Sequence, residues 1–408
     1  MLNSLALLFR KNIRSSILVL ALLAIWLGFG LSASGYWSAD HIQNILTQMA
    51  IIGIMATGMV FVIVTGGIDL SVGWGAGFVS VVSAALLYNE TISTPLHFLF
   101  PGMPPHAVEV ITAVVVVILS MLLGVLIGMM QGGIIAYLTV PPFIVTLGGM
   151  FIWKSGILIV TQGKSIFISS NDTYKYIAQG LLPPIVGYVL VVVVAIFLFV
   201  NVFVGRQRKQ RYGIEVGALG LDLLKAGAFS LLILAYVIIV NRTFDPTSTA
   251  DVRGVPFLVV ILGAIGVLMS YISTNTRFGR YAYAIGGNRE AARLSGINIK
   301  KSIFVIYVSM GALVGVSGIA LAAYVGSGTT GAGGGYELDV IASCILGGTS
   351  TLGGEGTVFG ALIGALIMQS LSNGLQMLNV NSNLQYLIKG FVLILAVWAD
   401  ITMKKKKA

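Results

Sequence analysis

Long apolar segments alternate with short polar ones along most of this chain. A helix that crosses a bilayer needs about 20 apolar residues, and eleven segments approach that length. They cover residues 16–34, 43–65, 70–88, 108–130, 142–162, 185–204, 217–240, 255–274, 302–325, 357–379 and 383–401. This pattern predicts an all-α polytopic membrane protein. Because no polar stretch is long enough for a separate globular unit, residues 1–408 are expected to form one membrane domain.

A shorter apolar segment at 337–346 affects the number of crossings. Apolar runs of roughly 10 to 14 residues usually indicate a re-entrant or broken helix. If the chain starts inside, however, eleven crossings would leave the basic run 404–407 outside, against the positive-inside rule. We therefore expect twelve crossings, of which the one at 337–346 is short or discontinuous.

Composition and charge support a membrane location. Hydrophobic residues make up 57% of the chain and charged residues 9%, against about 25% charged in soluble domains. A net charge of +10 could indicate a nucleic-acid partner, but the basic residues cluster beside apolar spans at 10–14, 206–211, 277–301 and 404–407. This is the positive-inside pattern, so we expect cytoplasmic N- and C-termini and no nucleic acid. The only cysteine, Cys344, excludes a disulfide, and no metal site is expected.

The basic segment 275–301 separates two apolar segments and is predicted to be a cytoplasmic loop. Asn288 suits the N-cap of a short helix, Glu290 its first turn and Gly296 its C′ position. A helix of about seven residues is too short to be stable alone in water, so something must pack against it. Ala291, Ala292 and Leu294 offer small and apolar contacts for that purpose. We hypothesise that this loop docks onto a separate cytoplasmic protein that supplies energy, and that it transmits the movement of that protein to the membrane helices.

Two glycine-rich stretches, 66–75 and 347–356, share glycines at their first, second, eighth and tenth positions. Matching glycine-interrupted segments in two halves of a transporter indicate a site at the repeat interface. Chance recurrence is the alternative in a chain with 51 glycines. Asp69 could contact cargo, but we prefer a structural role as the cap of a helix that begins at Leu70.

Three further glycine pairs have the spacing that lets membrane helices pack closely. They are Gly124/Gly128, Gly311/Gly315 and Gly360/Gly364. We expect them to mediate helix packing within one subunit, and a dimer seam is the alternative.

No nucleotide-binding motif is present in the sequence. The G-x-G-x-x-G match at 326–331 follows a membrane helix, and TQGKS at 161–165 lacks the first glycine of a phosphate loop. We therefore expect no cofactor and no catalytic residues, and the chain is not expected to be an enzyme. Its energy must come from an ion gradient or from another chain.

Ion-driven carriers commonly place acidic or histidine residues inside their helices, and candidates here are few. They are Asp222, Lys225, Lys154 and Lys389, near the ends of spans. Snorkelling to the membrane surface explains the lysines more simply. An ion-coupled carrier and a non-transporting scaffold or receptor stay open as alternatives.

Three motifs give the chain a family resemblance. They are GGIDLSVG at 66–73, RFGRYAYAIGGNREAARLSGIN at 277–298 and ELDVIASCILGGTSTLGGEGTVFGA at 337–361. With these motifs the chain resembles, from about residue 40 to 400, the membrane-spanning permeases of bacterial ABC importers for ribose, galactose and xylose. It is most similar to the xylose branch, because of an added pair of spans around 206–211 and the ending at 385–400.

The resemblance implies the partners and the cargo. Two permease copies would form a pathway in the bacterial inner membrane, with cytoplasmic ATP-binding subunits beneath and a periplasmic sugar-binding protein on the outer loops. The ATP-binding subunits would receive residues 286–296 in a surface groove. The cargo would be a monosaccharide, with D-xylose favoured over ribose, galactose or arabinose.

The resemblance also assigns candidate residues. Coupling to the ATPase is expected of Gly287, Asn288, Glu290, Ala291, Ala292, Arg293 and Gly296. The glycines and Asn288 would shape the loop, the alanines would permit close contact, and the charges would pair with the ATPase. For Arg293, the alternative is a topological role alone. The weaker candidates for the translocation pathway are Gly67, Asp69, Ser71, Gly348, Gln369 and Asn373.

Overall fold

A computed structural model describes residues 13–88, 91–168, 171–213, 216–242 and 254–405. Within these residues the chain is built of helices joined by short connections. The helices are α1 Ile13–Ser32, α2 Ala39–Val64, α3 Val72–Leu87, α4 Ser93–Leu99, α5 Pro105–Tyr137, α6 Pro142–Thr161, α7 Asp172–Gln179, α8 Pro184–Arg211, α9 Leu219–Arg242, α10 Phe257–Asn275, α11 Arg277–Gly287, α12 Arg289–Leu294, α13 Ile299–Val325, α14 Tyr336–Leu346, α15 Val358–Met377 and α16 Ser382–Lys405. The structure does not describe residues 243–253, between the predicted segments 217–240 and 255–274, nor the basic residues Arg10, Lys11, Lys406 and Lys407.

Four two-residue strands join connecting segments in antiparallel pairs. β1 (Ile166–Phe167) pairs with β4 (Ser327–Gly328), and β2 (Leu181–Leu182) pairs with β3 (Val255–Pro256). These pairs tie segments that precede or follow long helices, so they fix connections at one end of the helical bundle.

The helices confirm the predicted fold class. Among the described residues, α2, α5, α6, α8, α9, α10, α13 and α15 are long and apolar enough to cross a membrane. Shorter apolar runs lie in α1, α3 and α16. Each of the eleven predicted segments is therefore helical.

The two ends of the bundle can be distinguished by contacts of α2. At its start, Gln43 Nε2 donates to the Gly254 carbonyl, 2.9 Å away, just before α10. At its end, Val64 lies beside Gly286 of the basic segment. We call the end that holds 275–301 the loop end and the other the far end. Because successive long helices run in opposite directions, the basic stretch 206–211 also lies at the loop end, as the predicted topology requires.

The segment 326–346 makes one broken pass through the bundle. Ser327 and Gly328 pair with β1 at the far end, and Gly333 packs against α3 partway along. Helix α14 then continues toward the loop end, but 11 residues span only about 16 Å, half of a ~30 Å hydrocarbon core. The pass is thus discontinuous, as predicted. With it the described residues make twelve passes, and the last one ends at the loop end. That residues 1–408 form one domain stays a prediction.

The core is centred on α2, whose stretch from Met49 to Val64 is almost wholly apolar and is enclosed by other helices. The helices α5 and α13 cross at backbone contact, because Gly124 and Gly128 pack against Gly311 and Gly315. The pair Gly360/Gly364 packs in the same way on Gly347 and Ser343, at the end of α14. All three small-residue pairs therefore pack within the chain, which agrees with the interpretation preferred over a dimer seam.

Candidate coupling loop and polar network

The basic segment forms a pair of helices, not the single short helix that we expected. Helix α11 is capped by Thr276, whose Oγ1 accepts the Gly279 N–H at 3.4 Å. Phe278, Ala282 and Ile285 lie at the i, i+4, i+7 spacing of one helical face, and Ala282 and Ile285 are buried. This apolar spacing is visible in the sequence and could have predicted α11.

Helix α12 has the predicted caps. Asn288 Oδ1 accepts the Ala291 N–H at 2.9 Å. Gly296 has a φ of +83°, and its N–H donates to the Arg293 carbonyl at 3.0 Å. The Ile297 N–H donates to the Ala292 carbonyl at 3.1 Å, which completes a Schellman motif. The helix is six residues long, so its stability depends on these caps and on packing.

The predicted coupling residues separate into a supporting and an exposed group. Ala292 is buried against its own chain. The remaining predicted coupling residues are exposed: Gly287, Asn288, Glu290, Ala291, Arg293 and Gly296. Glu290 and Arg293 pair with each other at 2.9 Å. Leu294 is 78% exposed. The free surface of α12 is therefore a small apolar patch beside the Glu290–Arg293 ion pair and the exposed Arg289.

The C-terminal end of α11 packs tightly against the membrane helices. Gly286 lies so close to the end of α2 that a side chain there would overlap the Val64 carbonyl oxygen. That oxygen accepts the Gly354 N–H at 2.9 Å. Tyr283 donates its hydroxyl to the Gly356 carbonyl at 2.8 Å. We name Tyr283, Gly286, Gly354 and Gly356, together with Val64, the loop root. It joins the basic segment to α2 and to the second glycine stretch.

The two glycine stretches end α2 and α14 in the same way. Gly66 and Gly348 both have positive φ, +82° and +93°. Each donates to the carbonyl three residues earlier, at 2.9 Å, and the next residue donates to the carbonyl five residues before it, also at 2.9 Å. The likeness is thus a shared helix ending, offset by one residue from the sequence match that pairs Gly66 with Gly347. The hydrogen bond between Gly354 and Val64 brings the stretches together.

Asp69 lies near the loop end, where its carboxylate accepts hydrogen bonds from its own turn. It is 2% exposed, and its Oδ1 accepts the Ser71 N–H at 2.9 Å and the Ser71 hydroxyl at 2.6 Å. Gln131 of α5 donates to the same hydroxyl at 2.7 Å. Burial raises the pKa of Asp69 to about 6, although the hydrogen bonds from Ser71 oppose the shift. The expected helix start at Leu70 was wrong, because α3 begins at Val72 and Asp69 closes the preceding turn.

Gln369 and Asn373 belong to a polar network in the far-end half of the bundle. Gln48 Oε1 accepts from Gln369 Nε2 at 2.5 Å and from Asn373 Nδ2 at 3.3 Å. Gln48 Nε2 donates to Asn44 Oδ1 at 3.1 Å and to the Tyr324 hydroxyl at 2.9 Å. Tyr324 donates in turn to Asn44 at 2.7 Å. We name these five residues the carboxamide cluster. In the sequence, Asn44 and Gln48 of α2 are four residues apart, and so are Gln369 and Asn373 of α15. This i, i+4 spacing is the signal by which the cluster could have been found.

A buried ion pair lies beside α14. Lys389 Nζ of α16 is 2.8 Å from Asp339 Oδ2, and the side chains are 15% and 3% exposed. The snorkelling interpretation of Lys389 was therefore wrong. Lys154 lies over the Trp74 ring, 5.0 Å from its centroid, and Asp222 pairs with Arg206 at 2.7 Å. Among the described residues, no group of acidic, histidine and cysteine side chains could hold a metal ion.

The chain was compared with known families and proteins. A family described as "branched-chain amino acid transport system / permease component" matches residues 41–397. The xylose transport system permease protein XylH of Haemophilus influenzae is 38% identical over 398 residues, which cover 97% of this chain and 98% of that protein. Its Escherichia coli K12 counterpart is 36% identical, with 97% and 93% coverage.

Two relatives that are named for other sugars are less similar to the chain. The ribose import permease protein RbsC of Escherichia coli K12 is 31% identical, covering 95% of this chain and 92% of its own. The galactose/methyl galactoside import permease protein MglC of Haemophilus influenzae is 31% identical, with 90% and 88% coverage. No solved structure matches the chain significantly. With its many apolar helices, this is a multi-pass protein of the bacterial inner membrane, and it belongs to the permease-component family of transport systems.

Proposed function

We propose that this chain is the membrane-spanning subunit of an ATP-driven importer of a monosaccharide, with D-xylose as the cargo. The proposed partners are a cytoplasmic ATP-binding subunit, a periplasmic sugar-binding protein and a second copy of this chain. The two most similar relatives cited above are both named for xylose transport, which supports that sugar over ribose, galactose and arabinose. Energy comes from the separate subunit, because this sequence carries no nucleotide-binding motif.

The loop root is the observation that carries the proposal. To transmit movement, the loop needs, first, an exposed surface that a partner can bind and, second, a rigid connection to the membrane helices. The exposed face of α12 offers the first. The contacts of Gly286, Val64 and Gly354 offer the second, since backbone packed on backbone cannot yield by side-chain rearrangement. Movement of α12 would therefore reach α2 and the turn between α14 and α15 together.

This geometry supports the coupling roles that we propose for the individual residues. Asn288 and Gly296 fix the ends of α12, and Gly287 leaves room at its start. Ala291 and Leu294 offer the apolar contact, and Ala292 holds the helix against the chain. Glu290 and Arg293 would exchange part of their mutual ion pair for charges on the ATP-binding subunit.

Within the pathway, we assign Gln369 and Asn373 to the lining. Both lie on the face of α15 that meets α2. The pathway role of Gly67, Asp69, Ser71 and Gly348 stays a prediction. Their observed contacts are those of turns at the ends of α2 and α14.

The test is reconstitution of the chain in vesicles with its ATP-binding subunit and sugar-loaded binding protein. Ala291→Glu puts a charge on the exposed face of α12 and should abolish sugar-stimulated ATP hydrolysis and uptake while membrane insertion is unchanged. Gln207→Glu adds the same charge at the loop end but outside the loop, and should leave both activities intact. Normal transport by Ala291→Glu would refute the docking role. Uptake driven by an ion gradient without the ATP-binding subunit would instead support a stand-alone carrier.

A further inference from the structure

We propose that the carboxamide cluster is a binding site for a neutral, polyhydroxylated ligand, through which the sugar passes after it enters from the far end. This inference rests on the proposed function. The cluster draws its side chains from three helices, α2, α13 and α15, which are far apart in sequence. Asn44 and Gln48 come from the first, Tyr324 from the second, and Gln369 and Asn373 from the third.

Hydrogen-bonding capacity in the cluster is only partly used. The amide nitrogens of Gln369 and Asn373 donate to Gln48. Their own oxygens, Gln369 Oε1 and Asn373 Oδ1, accept no hydrogen bond from any described residue. The two side chains are only 5% and 2% exposed. Neither oxygen is fully enclosed by the described residues, so a ligand hydroxyl or a water molecule can reach it and donate a hydrogen bond.

The chemistry of the cluster suits sugar hydroxyls. A hydroxyl both donates and accepts, and so do carboxamides and a tyrosine hydroxyl. The cluster has no acidic or basic side chain, so it does not favour an anionic or cationic ligand. Asn44, Gln48 and Tyr324 are only partly buried, which leaves the cluster open on one side. Such a site would bind weakly, as a transporter that must release its cargo requires.

Charge and aromatic rings lie next to the cluster on the loop-end side. Tyr336, the first residue of α14, packs against the hydrophobic core. Tyr386 packs over Gly335, at the start of α14. One helical turn further, Asp339 and Lys389 form their buried ion pair. A ligand moving from the far end would therefore meet the uncharged cluster first, then tyrosines, and then this ion pair.

The first test measures binding directly on the purified full chain. Trp26 donates its Nε1–H to Ser370, at 2.9 Å, next to Gln369, so its fluorescence should report occupancy. We expect a saturable change with D-xylose that Gln369→Leu and Asn373→Leu each weaken about tenfold. D-Xylonate, the carboxylate of similar size, should bind at least about tenfold more weakly than D-xylose. Ser372→Ala is the control, since that hydroxyl bonds only to its own helix, and it should bind as the wild type does.

The second test separates this site from the proposed function. In vesicles with both partners, Gln369→Leu and Asn373→Leu should reduce sugar import about tenfold while sugar-stimulated ATP hydrolysis stays within about twofold of the wild-type rate. No D-xylose binding to the wild-type chain, equal binding of D-xylonate, or unchanged binding by both variants would overturn the site. Equal losses of import, hydrolysis and thermal stability would also overturn it, because the cluster would then be helix packing. Binding without any ATP-dependent import would support the site and refute the proposed function.

Discussion

The loop root allows a sharp prediction for Gly286→Ala. An added Cβ at Gly286 would lie 2.6 Å from Gly354 N and closer still to the carbonyl oxygen of Val64. Atoms of the backbone cannot rotate away, so α11 must move off the end of α2. The displacement would also break the 2.9 Å hydrogen bond between Gly354 and Val64.

The expected magnitude follows from these two losses. Overpacking of a tight site costs about 1–3 kcal/mol, and a lost hydrogen bond adds about 1 kcal/mol. A change of ~1.4 kcal/mol is tenfold in an equilibrium. Gly286→Ala should therefore shift the unfolding equilibrium at least about tenfold and lower the midpoint of thermal unfolding. Because α11 no longer packs on α2, sugar-stimulated ATP hydrolysis in the reconstituted complex should fall as well.

Two other glycines provide matched controls. An added Cβ at Gly287 meets no atom within 4 Å, and alanine is favoured over glycine in a helix by about 0.5–1 kcal/mol. The thermal midpoint of Gly287→Ala should thus be unchanged or higher. Gly263→Ala in α10, with equally open space, should keep normal hydrolysis. If Gly286→Ala unfolds and hydrolyses ATP as the wild type does, the loop root does not transmit movement as we describe.

Three further predictions concern other parts of the structure. Asp339→Asn or Lys389→Met alone should destabilise the chain by about 3–5 kcal/mol, since each leaves a buried charge without its partner; the double variant should recover much of the thermal midpoint, and additive losses would contradict the pairing. Asn288→Ala removes an N-cap worth about 1 kcal/mol and should speed proteolysis within 275–301, with Ser295→Ala as the comparison; equal cleavage would count against the cap. Gly128→Leu should abolish assembly of a folded chain by separating α5 from α13, and normal elution in size-exclusion chromatography would refute that crossing.

The sequence was sufficient to predict features that depend on local pattern. Apolar length located the helices, and positive charge assigned 206–211 and 275–301 to one end. Asn288 and Gly296 are caps whose roles follow from their own backbone geometry. Parity of the crossings predicted the broken pass near 337–346, because the basic C-terminal run had to return to the same side.

Features that depend on tertiary contact could not be predicted in the same way. Gln48 and Gln369 are 321 residues apart, and nothing in either segment indicates that they meet. Lys389 near a span end fits snorkelling equally well until Asp339 is found 2.8 Å away. Ala291 and Ala292 have the same side chain, and only packing makes one exposed and the other buried.

Cross-linking at position 291 tests the central claim most directly. The single native cysteine, Cys344, is buried, so Ala291→Cys in the full chain carries one accessible thiol. In the complete complex, a short thiol-to-amine cross-linker should join position 291 to the ATP-binding subunit, and a membrane-impermeant thiol reagent should not label it from outside intact cells. Labelling from outside, or no cross-link in a complex that imports sugar, would contradict the account.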